Sequence, residues 1–440
     1  MNYEEKYLEL RSKYIDFINS FDELPGKERW DSYRTNANKN RNNRDYIPEI
    51  LLQEFRNYID LPYFQKYPFL KRYNNYYQEY QEYISNNTVE EIILRKGVQG
   101  IRMTLINIDE AELYFPNVKI IYSVHSALHS LAMLLKVLHT EEFKGNEIML
   151  YEEPQLYHPG DREYVMYIAE MLKLPLVILS RNENASFHLE VNGLPKKFGR
   201  YCTKTYKIAP AKIFYSKYFI PLMEKIRCCF TKKQLIRFMN DNNIEYPKSL
   251  KYQKKEEISD YIISKIEKAP SLIPEKTTQF QDFEFFGERA DNVIQLIGIN
   301  KHQSESRAKK NPHVIPTKFS CNRKGMRIYE VMPLFHETFE EMEKLVEDSG
   351  LIRNPYEIEY KTLPQYENQK KEVRMGCIIC PFKTIDYYAF LKENFLGRYF
   401  LAHFLRLIGS VRNLAQGKSE YYYYDEHDCP KKRWDLLNIM

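Results

Sequence analysis

The sequence predicts an α/β fold, a parallel twisted sheet with helices on both faces, and three observations carry that prediction. Short β-branched runs recur at Val118-Lys119-Ile120-Ile121-Tyr122, Ile148-Met149-Leu150-Tyr151 and Leu176-Val177-Ile178-Leu179. Helical stretches, 124–139 and 160–173, separate them, and strands alternating with helices pair in parallel because each crossover returns the chain to the same end of the sheet. The pattern halts at a basic segment and resumes at Val293-Ile294-Gln295-Leu296-Ile297-Gly298, so an insert splits one α/β unit.

Taken in order, residues 1–100 read as a Tyr-rich helical extension. Tyr73, Tyr76, Tyr77, Tyr80 and Ile84 follow helical spacing, which predicts one amphipathic helix packed on the core. The competing reading is a tyrosine platform for stacking nucleic acid bases. Residues 101–227 form the first part of the α/β domain, 228–275 the basic helical insert, and 276–415 the second part. Within the last, Thr338 and Glu341 make a capping box ahead of Met342, Leu345 and Val346, and Gly350 closes a helix over 339–349. The tail, 416–440, holds Tyr421-Tyr422-Tyr423-Tyr424 and reads as a poorly ordered or partner-docked end.

Composition narrows the class. The 440 residues carry 65 Lys+Arg against 60 Asp+Glu, a net charge of +5, so the chain is mildly basic and no polyelectrolyte. With 43% apolar residues and 15 glycines it is neither disordered nor collagen-like. Met1-Asn2-Tyr3-Glu4-Glu5-Lys6 is charged where a secretory signal needs an apolar stretch. The most apolar run, Ile120 to Leu138, is broken by Ser123, His125, Ser126, His129, Ser130 and Lys136, which excludes a spanning helix there. Seven cysteines, an odd number, point to free thiols or metal ligands in a reducing compartment. The expectation is a cytoplasmic protein with no membrane partner.

Three segments combine Cys or Arg with glycine at predicted strand ends. They are Gly199-Arg200-Tyr201-Cys202-Thr203-Lys204-Thr205-Tyr206-Lys207-Ile208-Ala209-Pro210, Gly298-Ile299-Asn300-Lys301-His302-Gln303-Ser304-Glu305-Ser306-Arg307-Ala308, and Gly376-Cys377-Ile378-Ile379-Cys380-Pro381-Phe382. In an open α/β sheet, ligands sit beyond the carboxyl ends of strands, so these segments can line one crevice. Together they resemble the 3′-phosphoadenylyl sulfate (PAPS) reductase family of the PP-loop ATP pyrophosphatases, and relatives that transfer sulfur to DNA look similar. The first is similar to the family's Arg-Trp-Cys-Thr-x-x-Leu-Lys-x-x-Pro at Arg200, Cys202, Thr203, Lys207 and Pro210. The second resembles Gly-Ile-Arg-x-x-Glu-Ser-x-x-Arg at Gly298, Ile299, Ser304 and Arg307, and the third resembles Gly-Cys-x-x-Cys-Pro. The resemblance covers roughly 115–215 and 285–400. It implies an adenine nucleotide alpha hydrolase-like sheet, ATP or PAPS as ligand, and Ser123, Lys207, Ser304 and Arg307 as nucleotide or phosphate partners. It also implies Cys202, Cys377 and Cys380 as ligands of a 4Fe-4S cluster or zinc, with Cys321 and Cys429 as open choices for a fourth.

The departures bear on function. Where the family has Ser-Gly-Gly-Lys-Asp-Ser, this chain has Ser123-Val124-His125-Ser126-Ala127-Leu128-His129-Ser130. It lacks glycine, lysine and aspartate, and Cβ atoms obstruct the close backbone approach of a phosphate cradle. Glu152-Glu153-Pro154 replaces Asp-Thr-Gly and sets two carboxylates where nucleotide contacts are expected; Asn300 and Gln303 replace Arg and Glu. His125 and His129, four apart, would share a helical face, as a metal pair or in capping and packing, and Ser126 stands where a zinc protease motif needs glutamate.

The insert resembles helix-extension-helix modules of the SAP type. Residues 232–268 hold nine Lys/Arg and six Asp/Glu, a net +3, and Lys232, Lys233, Lys254 and Lys255 are the candidate nucleic acid contacts, the alternative being a solvated basic face. Two functions follow: a diverged PAPS-reductase-like protein in sulfur or adenine-nucleotide chemistry near nucleic acid, or a catalytically inactive scaffold of that fold binding DNA or a protein partner in a larger assembly.

Overall fold

The structure is a computed structural model that describes residues 1–21, 26–94, 100–109, 111–115, 118–138, 146–195, 201–219, 226–227, 230–269, 293–303, 308–309, 315–316, 328–357, 377–379 and 385–416. Helices α1 (Tyr3–Asn19), α2 (Gly26–Asn40), α3 (Ile47–Lys66), α4 (Pro68–Lys71) and α5 (Gln78–Asn86) come first. Strands β1 (Val89–Leu94) and β2 (Ile101–Ile106) and the short α6 (Ala111–Tyr114) follow. Then strands and helices alternate: β3 (Ile120–Ser123), α7 (Leu128–Val137), β4 (Glu147–Glu152), α8 (Asp161–Met171), β5 (Leu176–Arg181), α9 (Ala185–Asn192). A π-helical turn, Thr203–Ile208, runs into α10 (Ala209–Tyr218). The insert contributes α11 (Lys232–Asp241) and α12 (Lys255–Lys268), and the chain resumes with β6 (Val293–Ile297), β7 (Ile315–Pro316), β8 (Ile328–Val331), α13 (Phe339–Asp348), α14 (Ile385–Asn394) and α15 (Leu396–Gly409).

Among the described residues the sheet has eight strands in the order β1-β2-β5-β4-β3-β6-β8-β7. The five central strands, β5 to β8 in that order, are parallel, while β1, β2 and β7 add antiparallel pairs at the edges. Successive side chains of a strand point to opposite faces, and the core divides accordingly. Ile120 and Tyr122 pack under α7, α8 and α13, whereas Ile121, Ile148 and Leu150 pack with Phe214 and Tyr215 of α10 on the other side. Helices therefore cover both faces, as the alternation predicts. A third cluster joins α1, α2 and α3 to α14 and to α15, which is buried along nearly its whole length. Among the described residues no helix is long and apolar enough to cross a membrane.

The helical reading of 1–100 needs two corrections. The tyrosine run is not one helix: the Asn74 Oδ1 accepts from the Tyr76 backbone N–H at 2.9 Å, an Asx turn that breaks the chain between α4 and α5. Tyr73 is still buried, and Tyr77, Tyr80 and Ile84 pack against the same core. Residues 89–94 form an edge strand whose Glu90 and Glu91 face solvent, so no apolar alternation marks it in the sequence. The capping box at Thr338 and Glu341 forms as expected, and Gly350 follows with φ +70°. Residues 417–440 of the tail lie outside the described residues.

Candidate functional site

At the strand ends where the crevice is expected, β3, β4 and β6 lie side by side, with Ser123, Glu152 and Ile297 at their carboxyl ends. The Ser123 hydroxyl is buried and accepts from the Gln295 Nε2 on β6 at 2.6 Å, so it ties two strands together. Lys207 reaches the crevice from the π-helical turn, with its Nζ 3.1 Å from the Nε2 of the exposed His125. The buried Glu152 carboxyl is pushed up to about 7 by burial, with the Lys207 charge pulling the other way. Burial, then the Glu152 charge, also hold the Tyr215 phenol well above its ordinary range. His125 precedes α7 rather than sharing its face with His129, which corrects the expectation that the two stand on one helical face.

The turn after β3 carries its own anion. The Leu128 N–H, at the amino end of α7, donates to the Glu357 Oε2 at 3.0 Å, and Glu357 is buried. A helix amino terminus concentrates unpaired N–H groups and partial positive charge, the seat in which phosphate otherwise binds. Here a carboxylate 229 residues away in sequence takes it, with an Arg353 guanidinium nitrogen 3.9 Å off. The loop is braced further. The His125 N–H donates to the Ser130 Oγ at 2.8 Å, the Ser126 Oγ to the Asp161 Oδ1 at 2.7 Å, and the Asn354 Nδ2 to the Ser126 carbonyl at 3.0 Å. Gly298 lets β6 approach α7, since a Cβ there would lie 2.9 Å from the His129 carbonyl oxygen. Asn300, buried, donates to the Leu334 carbonyl at 2.9 Å and accepts from the His302 N–H at 2.7 Å, a clamp on the following loop.

The same π-helical turn, a form frequent at functional sites, faces inward through the buried Tyr206. Cys202 and Cys377 both pack on the core that holds Tyr206, whose phenol is pushed well above its ordinary range by burial first, then by Tyr201, Cys377 and Cys202. The backbone N–H of Ile378 donates to the Leu156 carbonyl at 2.8 Å and fixes Cys377 beside that core. Among the described residues no group of three His, Cys, Asp or Glu forms a metal site. Cys380, Arg200, Ser304 and Arg307 lie outside the described residues. Two thiols are short of the four ligands that zinc or an iron-sulfur cluster takes, so the described residues alone do not hold such a group.

The insert stands on a small core of its own, built from Ile226, Leu235, Met239, Ile244, Leu250, Ile258, Ile262, Ile263 and Ile266. Thr231 and Gln234 form a capping box at the start of α11, and a 3-10 turn at Lys248–Tyr252 follows Pro247. Lys232, Lys233 and Lys254 are exposed and Lys255 is half-buried. Lys232 and Lys233 open α11, while Lys254 and Lys255 open α12. Tyr252, two residues before Lys254, is 88% exposed. Comparison with protein-family models, with curated proteins and with solved structures finds no match to this chain.

Sequence reasoning reaches His125, Glu152 and Lys207 but misses Glu357. No local signal marks a capping residue so far along the chain.

Proposed function

We propose that this chain is a diverged PAPS-reductase-like scaffold that binds nucleic acid through its helical insert. The observation that carries the reading is the insert: a module with its own core that sends lysines and an exposed tyrosine into solvent. Lysines so placed neutralise phosphates in a sequence-tolerant, salt-dependent way, and an exposed ring adds a stacking surface. The Glu357 carboxylate at the amino end of α7 supports the scaffold reading, because a second anion there would meet like charge in a buried seat. The test is the salt dependence of duplex DNA binding by the full chain. Replacing Lys232, Lys233, Lys254 and Lys255 with Ala should cost tenfold or more in affinity and flatten the slope of log affinity against log salt by about 1 for each phosphate left unneutralised. An unchanged slope removes the insert from this role.

A second reading keeps sulfur or adenine-nucleotide chemistry, and one observation favours it. A single turn presents Lys207 to the crevice and Cys202, with Cys377, to the core at Tyr206. Anaerobic purification followed by iron and zinc analysis, a visible spectrum and pyrophosphate release from ATP tests it. Stoichiometric iron with turnover would favour this reading over the scaffold.

A further inference from the structure

Away from the crevice, α3, the turn after α4 and the start of α8 line a partly open polar cavity of about 130 Å³. Arg56 and Asp60 of α3, Asn74 and Tyr76 of the turn, and Arg162 and Glu163 of α8 line it. The lining holds two guanidinium groups and two carboxyl groups, and its polar atoms are incompletely satisfied. The Asp60 Oδ1 is buried and has no hydrogen-bond partner, although Asp60 as a residue is half-buried. The Arg162 Nε is also buried without a hydrogen bond, its nearest carboxylate being the Glu153 Oε1 at 3.9 Å. Glu163 accepts one bond from the Asn74 Nδ2 at 3.1 Å. Arg56 spends a donor on the Gln155 carbonyl.

An orphan buried acceptor and an orphan buried donor each cost on the order of 1–3 kcal/mol, and native folds rarely leave both in one space without an occupant. Asp60 calls for a donor and Arg162 for an acceptor, so the fitting occupant carries both. At about 30 Å³ per water the space holds at least four waters, room enough for a small amino acid. The geometry points to a binding site for a small α-amino acid, its ammonium group at Asp60 and Glu163 and its carboxylate at Arg162, with Tyr76 at the mouth. Burial, with the two carboxyls facing each other, pushes Asp60 up to about 8, and burial pushes Glu163 up to about 7. Both groups would be ionised again by an arriving ammonium.

The experiment is a thermal-shift screen of the full chain against the twenty proteinogenic L-amino acids at millimolar concentration, followed by calorimetry of any that raise the melting temperature. Ligand binding to the native state alone raises it by mass action. At least one amino acid is expected to raise it by several degrees, its methyl ester and N-acetyl derivative are expected to lose the effect, and Asp60→Asn and Arg162→Gln should each weaken binding at least tenfold. The ester and N-acetyl comparison needs no variant, so it decides even if a substitution prevents folding. No shift with any amino acid would overturn the proposal, and so would a shift that survives both capped derivatives, since water or a different occupant would then fill the space.

Discussion

The crevice and the insert both carry cations on helical segments, yet they use them in opposite ways. At the crevice, charge meets partners within the chain: Lys207 lies against His125 near Glu152, and Glu357 fills the amino end of α7. The fold repeats this at α9, where the buried Glu49 accepts from the Ser186 N–H at 3.1 Å and from its hydroxyl at 2.9 Å. In the insert, Lys232, Lys233 and Lys254 are left in solvent. An anion seat is defined by what already occupies it. Of the two regions, the insert is the one whose cations face solvent.

The largest effect should come from removing the internal anion. Glu357→Ala leaves the Leu128 N–H and Arg353 without their buried carboxylate and is expected to cost about 3 kcal/mol, read as a lower midpoint in urea unfolding. Glu357→Gln keeps an acceptor and should cost less. It should also let the seat take up inorganic pyrophosphate in calorimetry, where the wild-type chain takes up none. Pyrophosphate binding by the wild type, unaltered in Glu357→Gln, would break the comparison.

Next is Gly298→Ala, whose methyl would press on the His129 carbonyl and cost about 1–3 kcal/mol. A neutral result would mean that α7 and β6 can part freely.

The pH response comes third. The Glu190 carboxyl is pushed up to about 8 by burial, against the Tyr33 hydrogen bond, and Asp60, Glu163 and Glu152 are raised with it. Each holds in the folded state a proton that the unfolded chain releases near pH 4, about the usual carboxyl value. Stability is therefore fully present below that pH and is lost as pH rises through about 7 to 8. Unfolding midpoints at pH 5 should exceed those at pH 8, and Glu190→Gln should reduce the difference. The smallest effect on the fold belongs to the four insert lysines, whose replacement with Ala should change stability by less than about 0.5 kcal/mol while weakening DNA binding.

How much of this the sequence discloses depends on the range of the interaction. The strands at Ile120, Ile148, Leu176 and Val293 and the helix capped by Thr338 are readable, because burial and capping leave periodic local traces. The edge strand at Val89–Leu94 is not, since half its side chains meet water. Asn74 breaks the tyrosine helix through a side-chain bond that outweighs spacing. Of the site, Lys207 and His125 are visible as types but not as neighbours. Glu357 and the pairing of Asp60 with Arg162 arise only when distant helices pack, which no local pattern encodes.

The most direct measurement is hydrogen exchange along the full chain with and without duplex DNA at low salt. Slower exchange is expected at the amino ends of α11 and α12, with the loop from Ser123 to Ser130 unchanged. Slower exchange in that loop, with the insert unaffected, would contradict the account.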